Sequence, residues 1–376
     1  MSWWADFDED ELTTDFARIA GCGLDSVRVF LTWEDFQPSP NRVDRTMVDK
    51  LVVVADVAGK AGLDLIPTLF TGHMSGVNWI PRWALGGPEG DARFRVVAGG
   101  EPVELGLRNW FTDSSVREAQ ALLAAEAAAA LRGHRALWAW DLGNENSNCV
   151  IPPHTEAART WLVQLTAAIR GSDDQALVTV GLHMEDLEED RRLGPREVAG
   201  GCDFLSMHGY PIYASWADGP LDEHLLPFLA RVTRWLGNGR DVLFSEFGLP
   251  TRRPRPAPHD PRLVDEDAAA AYTASSLEAL RDAGCLGAML WCYSDYHRDR
   301  WSRPPLDLAP HERSFGLWRS DGSPKPAVAA VAAFAGTARR DPKGDDSWID
   351  IGPDVFLLDP GRQLPRLYGR YRRASP

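Results

Sequence analysis

Ala-Leu-Trp-Ala-Trp-Asp-Leu-Gly-Asn-Glu-Asn, residues 136–146, decides how this chain is read. Its apolar part, about 136–143, has the length and character of a buried strand. An Ala-rich helical stretch, 115–132, precedes it and stops at Gly133. Another, 155–170, follows and stops at Gly171. A strand that comes out of one helix and leads into the next is the repeating unit of a parallel sheet with helices outside. Glu145 stands just past the strand end, the place where such sheets carry their reactive groups.

The same unit recurs in both directions. Toward the N-terminus, strand 63–70 follows helix 44–60, whose inner face carries Met47, Val48, Leu51, Val54, Ala55 and Ala58 and which stops at Gly62. Strand 25–31 follows a helix with Leu12, Phe16 and Ile19 on one face. Toward the C-terminus come strand 176–182, a short charged helical stretch, strand 203–208, helix 221–236 and strand 241–246, which carries Glu246. Helix 266–283, strand 286–293 and a last helix from Ser323-Pro324 to about Phe334 complete the series. Serine as N-cap with proline in the first turn is a good start signal.

Seven strands and eight helical stretches predict an α/β chain of the (β/α)8, or TIM, barrel class, which needs eight strands. The absent one would precede the first helix. Either Met1–Phe7 forms a stunted strand, or the chain starts inside a longer ancestral sequence. Residues 71–114 read as an irregular segment far longer than the usual loop of about 2–6 residues. Counting the absent strand, this is an extended third βα loop. The tail after about 337 is polar and then apolar again, with Trp348, Ile349, Ile351, Val355 and Phe356. It is too short for a stable independent domain. The expected organisation is therefore a barrel over 1–337 and an extension, 338–376, packed on it.

Composition narrows the function. The chain has 376 residues, 44% of them hydrophobic, enough for one barrel with insertions. Its formal net charge of −14 argues against a nucleic-acid partner, which would call for a basic face. No apolar run of about 18 residues or more suggests a membrane span. The first residues lack the basic and apolar regions of a secretory signal. Five scattered cysteines without a C-x-x-C pair fit reduced thiols, so a cytoplasmic location is expected. There is no metal-ligand spacing, glycine-rich phosphate loop or serine nucleophile elbow, and no cofactor is expected. Oligomeric state is not readable.

Two glutamates at strand ends are the minimum equipment for cleaving a glycosidic bond: one gives a proton to the leaving oxygen, and the other attacks or activates water. The remaining strand ends supply Arg28, His73, Asn144, His183, His208 with Tyr210, and Trp291. The motifs Gly-Leu-Asp-Ser-Val-Arg-Val-Phe (23–30), Gly-Asn-Glu (143–145), Met-His-Gly-Tyr-Pro (207–211), Ser-Glu-Phe-Gly (245–248) and Leu-Trp-Cys-Tyr-Ser-Asp (290–295), in that order, resemble glycoside hydrolase family 5. The resemblance covers roughly residues 18–335. It implies that Glu145 is the acid/base and Glu246 the nucleophile, with carboxyl groups about 5–5.5 Å apart as retention requires. It also implies that Arg28 and Tyr210 keep Glu246 ionised, that Asn144 bonds the sugar 2-hydroxyl, that His208 lines the cleft and that Trp291 floors the −1 subsite. Arg28 has an alternative reading as a buried structural ion pair.

His73, Trp79, Trp110 and Glu312 are further candidates for sugar contact. Trp79 and Trp110 stand with Trp33, Trp83, Trp216 and Trp301 in loops expected on the reactive face. Trp-Glu-Asp-Phe-Gln-Pro (33–38) and the stretch 71–79 look like the β-mannosidase and mannanase branch of the family. A long loop walling off one end of a cleft favours exo action on a short oligosaccharide. The expectation is a retaining β-mannosidase. A β-1,4-mannanase, a β-glucosidase or β-glucanase, and a sugar-binding pseudoenzyme are the alternatives.

Overall fold

Seven strands form one sheet in chain order: β1 (Ser26–Phe30), β2 (Asp64–Thr68), β3 (Trp140–Asn144), β4 (Val178–His183), β5 (Leu205–His208), β6 (Val242–Phe247) and β7 (Gly287–Leu290). The computed structural model describes residues 3–87, 92–252 and 260–374. The pairs β1–β2, β2–β3, β3–β4, β5–β6 and β6–β7 are parallel. Helices alternate with these strands: α1 (Glu9–Gly21), α2 (Arg45–Ala61), α3 (Ser114–Ala130), α4 (Thr155–Ser172), α5 (Pro195–Gly201), α6 (Leu225–Leu236), α7 (Glu266–Asp282) and α8 (Ala327–Phe334). This is the strand and helix order of the (β/α)8 class, with seven strands among the described residues.

Local chemistry explains most boundaries. Asp8, Asp44 and Asp113 each cap a helix by accepting two backbone N–H bonds of its first turn. Gly62 ends α2 in the left-handed conformation, φ 76°. The last helix departs from the expected start. Arg319 takes the Ser323 hydroxyl at 3.1 Å and the Pro324 carbonyl at 2.8 Å. Pro324 also bridges to Trp318, so 323–325 is held out of the helix and α8 begins at Ala327.

The chain falls into two compact units, 1–181 with 191–204, and 182–190 with 205–376. In the first, β1 is half-buried, whereas β2 and β3 are mostly or wholly buried. Residues 3–6 form a turn, so the stunted strand envisaged for Met1–Phe7 is absent from the described residues. Trp4 is instead buried under β1, donating its indole N–H to the Phe30 carbonyl at 2.7 Å and meeting Phe36 edge-on. The segment 71–114, expected to be irregular, is built of short strands. His73–Met74, Val77–Trp79, Arg95–Ala98 and Glu101–Val103 make one small sheet; Leu85–Gly87 pairs with Gly106–Leu107. An insertion this long has backbone groups to satisfy; its short ladders satisfy many among the described residues, and others are met from outside, the His73 carbonyl by Asn144 and the Gly99 N–H by Glu34.

In the second unit β5 and β6 are buried and β7 is half-buried. The tail contributes two helices, α9 (Pro353–Leu357) and α10 (Pro360–Ala374). Phe228 of α6 packs against Trp348, Tyr368 and Tyr371, and Trp235 packs against Phe356. Tyr368 also donates its hydroxyl hydrogen to Asp222.

Lys325, one of four lysines, is 4% exposed. Its three N–H bonds go to Thr251 Oγ1 at 2.8 Å, Asp295 Oδ1 at 2.6 Å and the Ser314 carbonyl at 2.9 Å. Asp295 Oδ1 also accepts the Gly316 N–H at 2.9 Å. One ammonium thus ties α8's lead-in to the loop that follows β7. Burial pushes the Lys325 ammonium below its usual range and the Asp295 carboxyl above its own. Lys325→Met should cost about 3–5 kcal/mol, because it strands a mostly buried carboxylate. A urea titration would show a lower midpoint at unchanged slope; a loss under about 1 kcal/mol would mean that the lysine clamps nothing.

Candidate active site

The first unit builds its cluster on Asp141. This carboxylate, 1% exposed, lies in the middle of β3 among apolar neighbours. It accepts Arg28 Nε at 2.9 Å and Nη2 at 2.6 Å, Thr68 Oγ1 at 2.8 Å, and the backbone N–H groups of Gly143 and Gly181 at 3.1 and 3.0 Å. Arg28 is therefore the buried ion-pair member that its alternative reading envisaged, and it does more. Its Nη2 also donates to Asn144 Oδ1 at 2.8 Å. That leaves the Asn144 amide nitrogen to donate to the His73 carbonyl at 2.6 Å, so the side-chain orientation of Asn144 is set from both ends.

The chain then turns sharply. Gly143 has no room for a side chain: a Cβ there would lie 2.6 Å from Asn146 Nδ2 and 3.1 Å from the Phe70 carbonyl. Glu145 adopts the left-handed conformation, φ 50° and ψ 48°, which costs a residue with a Cβ about 1–3 kcal/mol. Its N–H donates to the Gly181 carbonyl at 3.0 Å, and its carbonyl accepts the Asn148 N–H at 2.9 Å. The Asn148 amide nitrogen donates to Glu145 Oε2 at 3.0 Å.

His73 Nε2 lies 3.8 Å from the same Glu145 oxygen. The Asn78 amide nitrogen donates to the Asn148 carbonyl, so Asn78 Oδ1 is the atom facing His73 Nδ1, at 2.8 Å. Nδ1 must then carry hydrogen, and neutral His73 presents Nε2 as a lone pair toward Glu145. Cys149, beside them, is held well above the usual thiol range by burial and by the Glu145 charge.

The second unit builds its cluster on Glu246, 7% exposed near the end of β6. Tyr210 donates its hydroxyl hydrogen to Glu246 Oε2 at 2.8 Å. His208, wholly buried and in register with Glu246, has Nδ1 3.7 Å from that oxygen. Beneath them, Gly248 leaves space that only hydrogen fills; a Cβ there would collide with the Trp291 carbonyl. Trp291 is half-buried just past β7, its N–H donated to the Phe247 carbonyl at 2.8 Å. The Trp291–Cys292 peptide is cis. Edge-on contacts link Tyr210 to Tyr213 and Phe315. The Tyr213 hydroxyl reaches Glu312 Oε1 at 2.9 Å and His311 Nε2 at 2.8 Å, which encloses the Glu312 carboxylate, 6% exposed.

The outer candidates divide. Trp79 is half-buried, its indole donating to the Met74 carbonyl at 3.3 Å. Trp110 was expected as a sugar platform, but it is 1% exposed and packed edge-on against Trp33, which is itself fully buried. Its ring is part of the packing under the insertion and offers no face to a sugar. His183 ends β4 and turns to Asp186, 3.7 Å away. Asp141, Asn78, Asn148, Arg191 and Tyr213 were not picked out as site residues from the sequence. For Asp141 a signal existed: two strands expected to be buried carry opposite charges within their apolar runs, Arg28 and Asp141, and buried opposite charges pair. The others become neighbours of the glutamates only through folding.

No family model matches the chain. It is 26% identical over 319 residues, 75% of its length, to a rice protein named "Putative mannan endo-1,4-beta-mannosidase 5" (Oryza sativa subsp. japonica), and it spans 62% of that protein's length. Among solved structures, a GH5_18 protein from Streptomyces cattleya with GlcNAc is 25% identical with a TM-score of 0.80, the match covering 98% of this chain and 86% of that one. A variant of that type, solved with Manb1-4GlcNAc, matches at 25% identity and 0.73 over 91% and 79%. The exo-beta-1,4-mannosidase Op5Man5 from Opitutaceae bacterium strain TAV5 is 28% identical with a TM-score of 0.72, over 89% of this chain and 56% of its own. By its strand order, its strand-end residues and these likenesses, the chain resembles the glycoside hydrolases of family 5.

Proposed function

We propose that this protein is a retaining β-glycoside hydrolase acting from the end of short β-mannosides. The observation that carries the reading is the pair of strand-end glutamates, each gripped by its own hydrogen-bond donor: Glu145 by Asn148, and Glu246 by Tyr210. In the first step a Glu246 oxygen attacks the anomeric carbon. The glycosidic C–O bond breaks, its electron pair stays on the leaving oxygen, and that oxygen takes the proton of Glu145. In the second step the Glu145 carboxylate removes a proton from water. The water oxygen attacks the anomeric carbon, and the ester bond to Glu246 breaks. No cofactor enters this scheme.

The other residues take roles around that exchange. The Tyr210 hydroxyl, donating to Oε2, fixes the orientation of the Glu246 carboxyl group. Asn144, braced by Arg28 and the His73 carbonyl, is pre-set to meet a sugar hydroxyl whose contact strengthens in the transition state. His73 and His208 line the site, Trp291 stacks on the sugar in the −1 subsite, and Trp79 and the Tyr213–Glu312 pair serve the sugar beyond it. Residues 1–337 form the catalytic part and 338–376 an extension on it. The partner is a small oligosaccharide, not nucleic acid, met in the cytoplasm; among the described residues no helix is long and apolar enough to cross a membrane.

Exo action is supported by the short strands that order the described residues of the long insertion after β2, and by the name of the Opitutaceae relative. The disaccharide in the Streptomyces structure supports a two-sugar substrate. The name of the rice relative favours an endo-acting mannanase instead. Initial rates on aryl β-mannoside against aryl β-glucoside, then product patterns from mannotetraose, separate these readings. Release of single mannose units only is expected; internal cleavage products would favour the endo reading, and a glucoside preference would move the substrate.

Glu246→Ala should lose at least about 1,000-fold in kcat while its melting curve stays cooperative. Retention of more than a few per cent of the rate would unseat Glu246 as nucleophile. Proton NMR of the first-formed sugar should show the β-anomer, and the α-anomer would mean inversion. Gly248→Ala should lower kcat/KM by about tenfold or more by displacing Trp291. A variant with wild-type kcat/KM would show that the position of Trp291 does not matter.

A further inference from the structure

Asn148 lies three residues beyond Glu145 and is buried, with 4% of its surface exposed. Which way its side-chain amide points is decided on its far side. Arg191, 2% exposed, donates Nη1 to Asn148 Oδ1 at 3.0 Å, and Arg93 Nη1 approaches the same oxygen at 3.5 Å. A guanidinium is a donor with no acceptor, so the atom facing it must be the amide oxygen. The amide nitrogen is thereby committed to Glu145 Oε2, 3.0 Å away. A second tie holds the backbone in place: the Asn148 carbonyl accepts from Asn78 at 3.2 Å, and Arg191 Nη1 also takes Ser147 Oγ at 3.2 Å.

An oxygen that faces an N–H donor cannot also carry a proton toward it. We propose that Asn148, locked by Arg191, is a positioning residue that keeps Glu145 Oε2 an acceptor and so assigns the catalytic proton to Oε1, aimed at the leaving oxygen. The inference rests on the reading of Glu145 as acid/base and deepens it by naming the device that sets which oxygen works. The two glutamate oxygens thus differ before any substrate arrives. An unbraced carboxyl would divide its proton between them and lose time in the wrong state.

The sign of the pH effect follows. An N–H donated to Oε2 favours the carboxylate, so removing it makes Glu145 harder to ionise. The charged or titratable groups around Glu145 in its unit include His73, Arg191 and Arg93 behind Asn148, and Cys149, whose thiol is held neutral by burial and by the Glu145 charge. The proposed mechanism adds Glu246. Deleting the Asn148 amide removes one donor from Glu145 and, on the far side, the acceptor that Arg191 uses, which the aspartate variant keeps.

The test is kcat/KM, which reports the first chemical step, for aryl β-mannosides of graded leaving-group acidity across the pH range. For Asn148→Ala the alkaline limb should move up by about 0.5–1 pH unit. The loss should be about tenfold or more for a poor leaving group and under about threefold for dinitrophenolate, which needs little protonation. Asn148→Asp keeps the size and the Arg191 partner but removes the donor, so it should shift the limb in the same direction even if the alanine variant folds poorly. A limb within about 0.2 unit of wild type in either folded variant, or a loss equal for all leaving groups, would overturn the proposal. Glu145→Ala is run alongside. If it shows no leaving-group dependence and no rescue by azide, the acid/base assignment itself fails; if it shows both while the Asn148 variants do not, only the positioning role fails.

Discussion

Burying the Asp141 carboxylate is the constraint from which the rest of the first unit follows. Taking this charge out of water costs several kcal/mol, which only well-aligned partners offset. Five donors do so, and they come from β1, β2, β3 and the β4 backbone. One side chain thus joins four neighbouring strands. The pair with Arg28 contributes little as a bare stabiliser when set against an apolar core. Its consequence is specificity, because the strands have one arrangement in which no buried charge is left alone.

From that anchor the neighbouring residues are placed in sequence. Arg28, held by Asp141, holds Asn144; Asn144, by its other end, holds the His73 carbonyl. The Gly143 turn follows directly, because only a residue without a side chain passes beneath Asn146 and the Phe70 carbonyl. Glu145 comes out of the turn in a strained backbone conformation that its own N–H and carbonyl bonds sustain. Strain of this kind is tolerable because the supports around it are over-determined. Glu145 therefore needs no flexible loop to reach its place.

The second unit reaches a comparable result by steric means. Glu246 belongs to a wholly buried strand, so its position is set by β6, and Tyr210 and His208 reach it from the neighbouring chain end. Trp291 is kept close by the missing side chain at Gly248. The loop beyond Trp291 is tied down by a lysine that satisfies three acceptors at once. Aromatic rings of the tail cover α6.

The amino-acid sequence by itself determined the alternation of strands and helices, because period and capping are local: Asp8, Asp44 and Asp113 stand where their helices begin, and Gly62 where one ends. It also determined which carboxylates end strands, since Glu145 and Glu246 each follow an apolar run long enough to be buried. The tertiary structure alone decided the partners. Arg28 and Asp141 are 113 residues apart, and Asn148 meets Arg191 across 43; no local pattern encodes either distance. The same holds for Trp110, whose place in a loop suggested an open ring and whose enclosure depends on Trp33, far away in the chain. It holds again for the start of α8, where Arg319 overrides a sound serine–proline signal. Propensities and periods act over a few residues, whereas burial and charge pairing are properties of what the folded chain brings alongside.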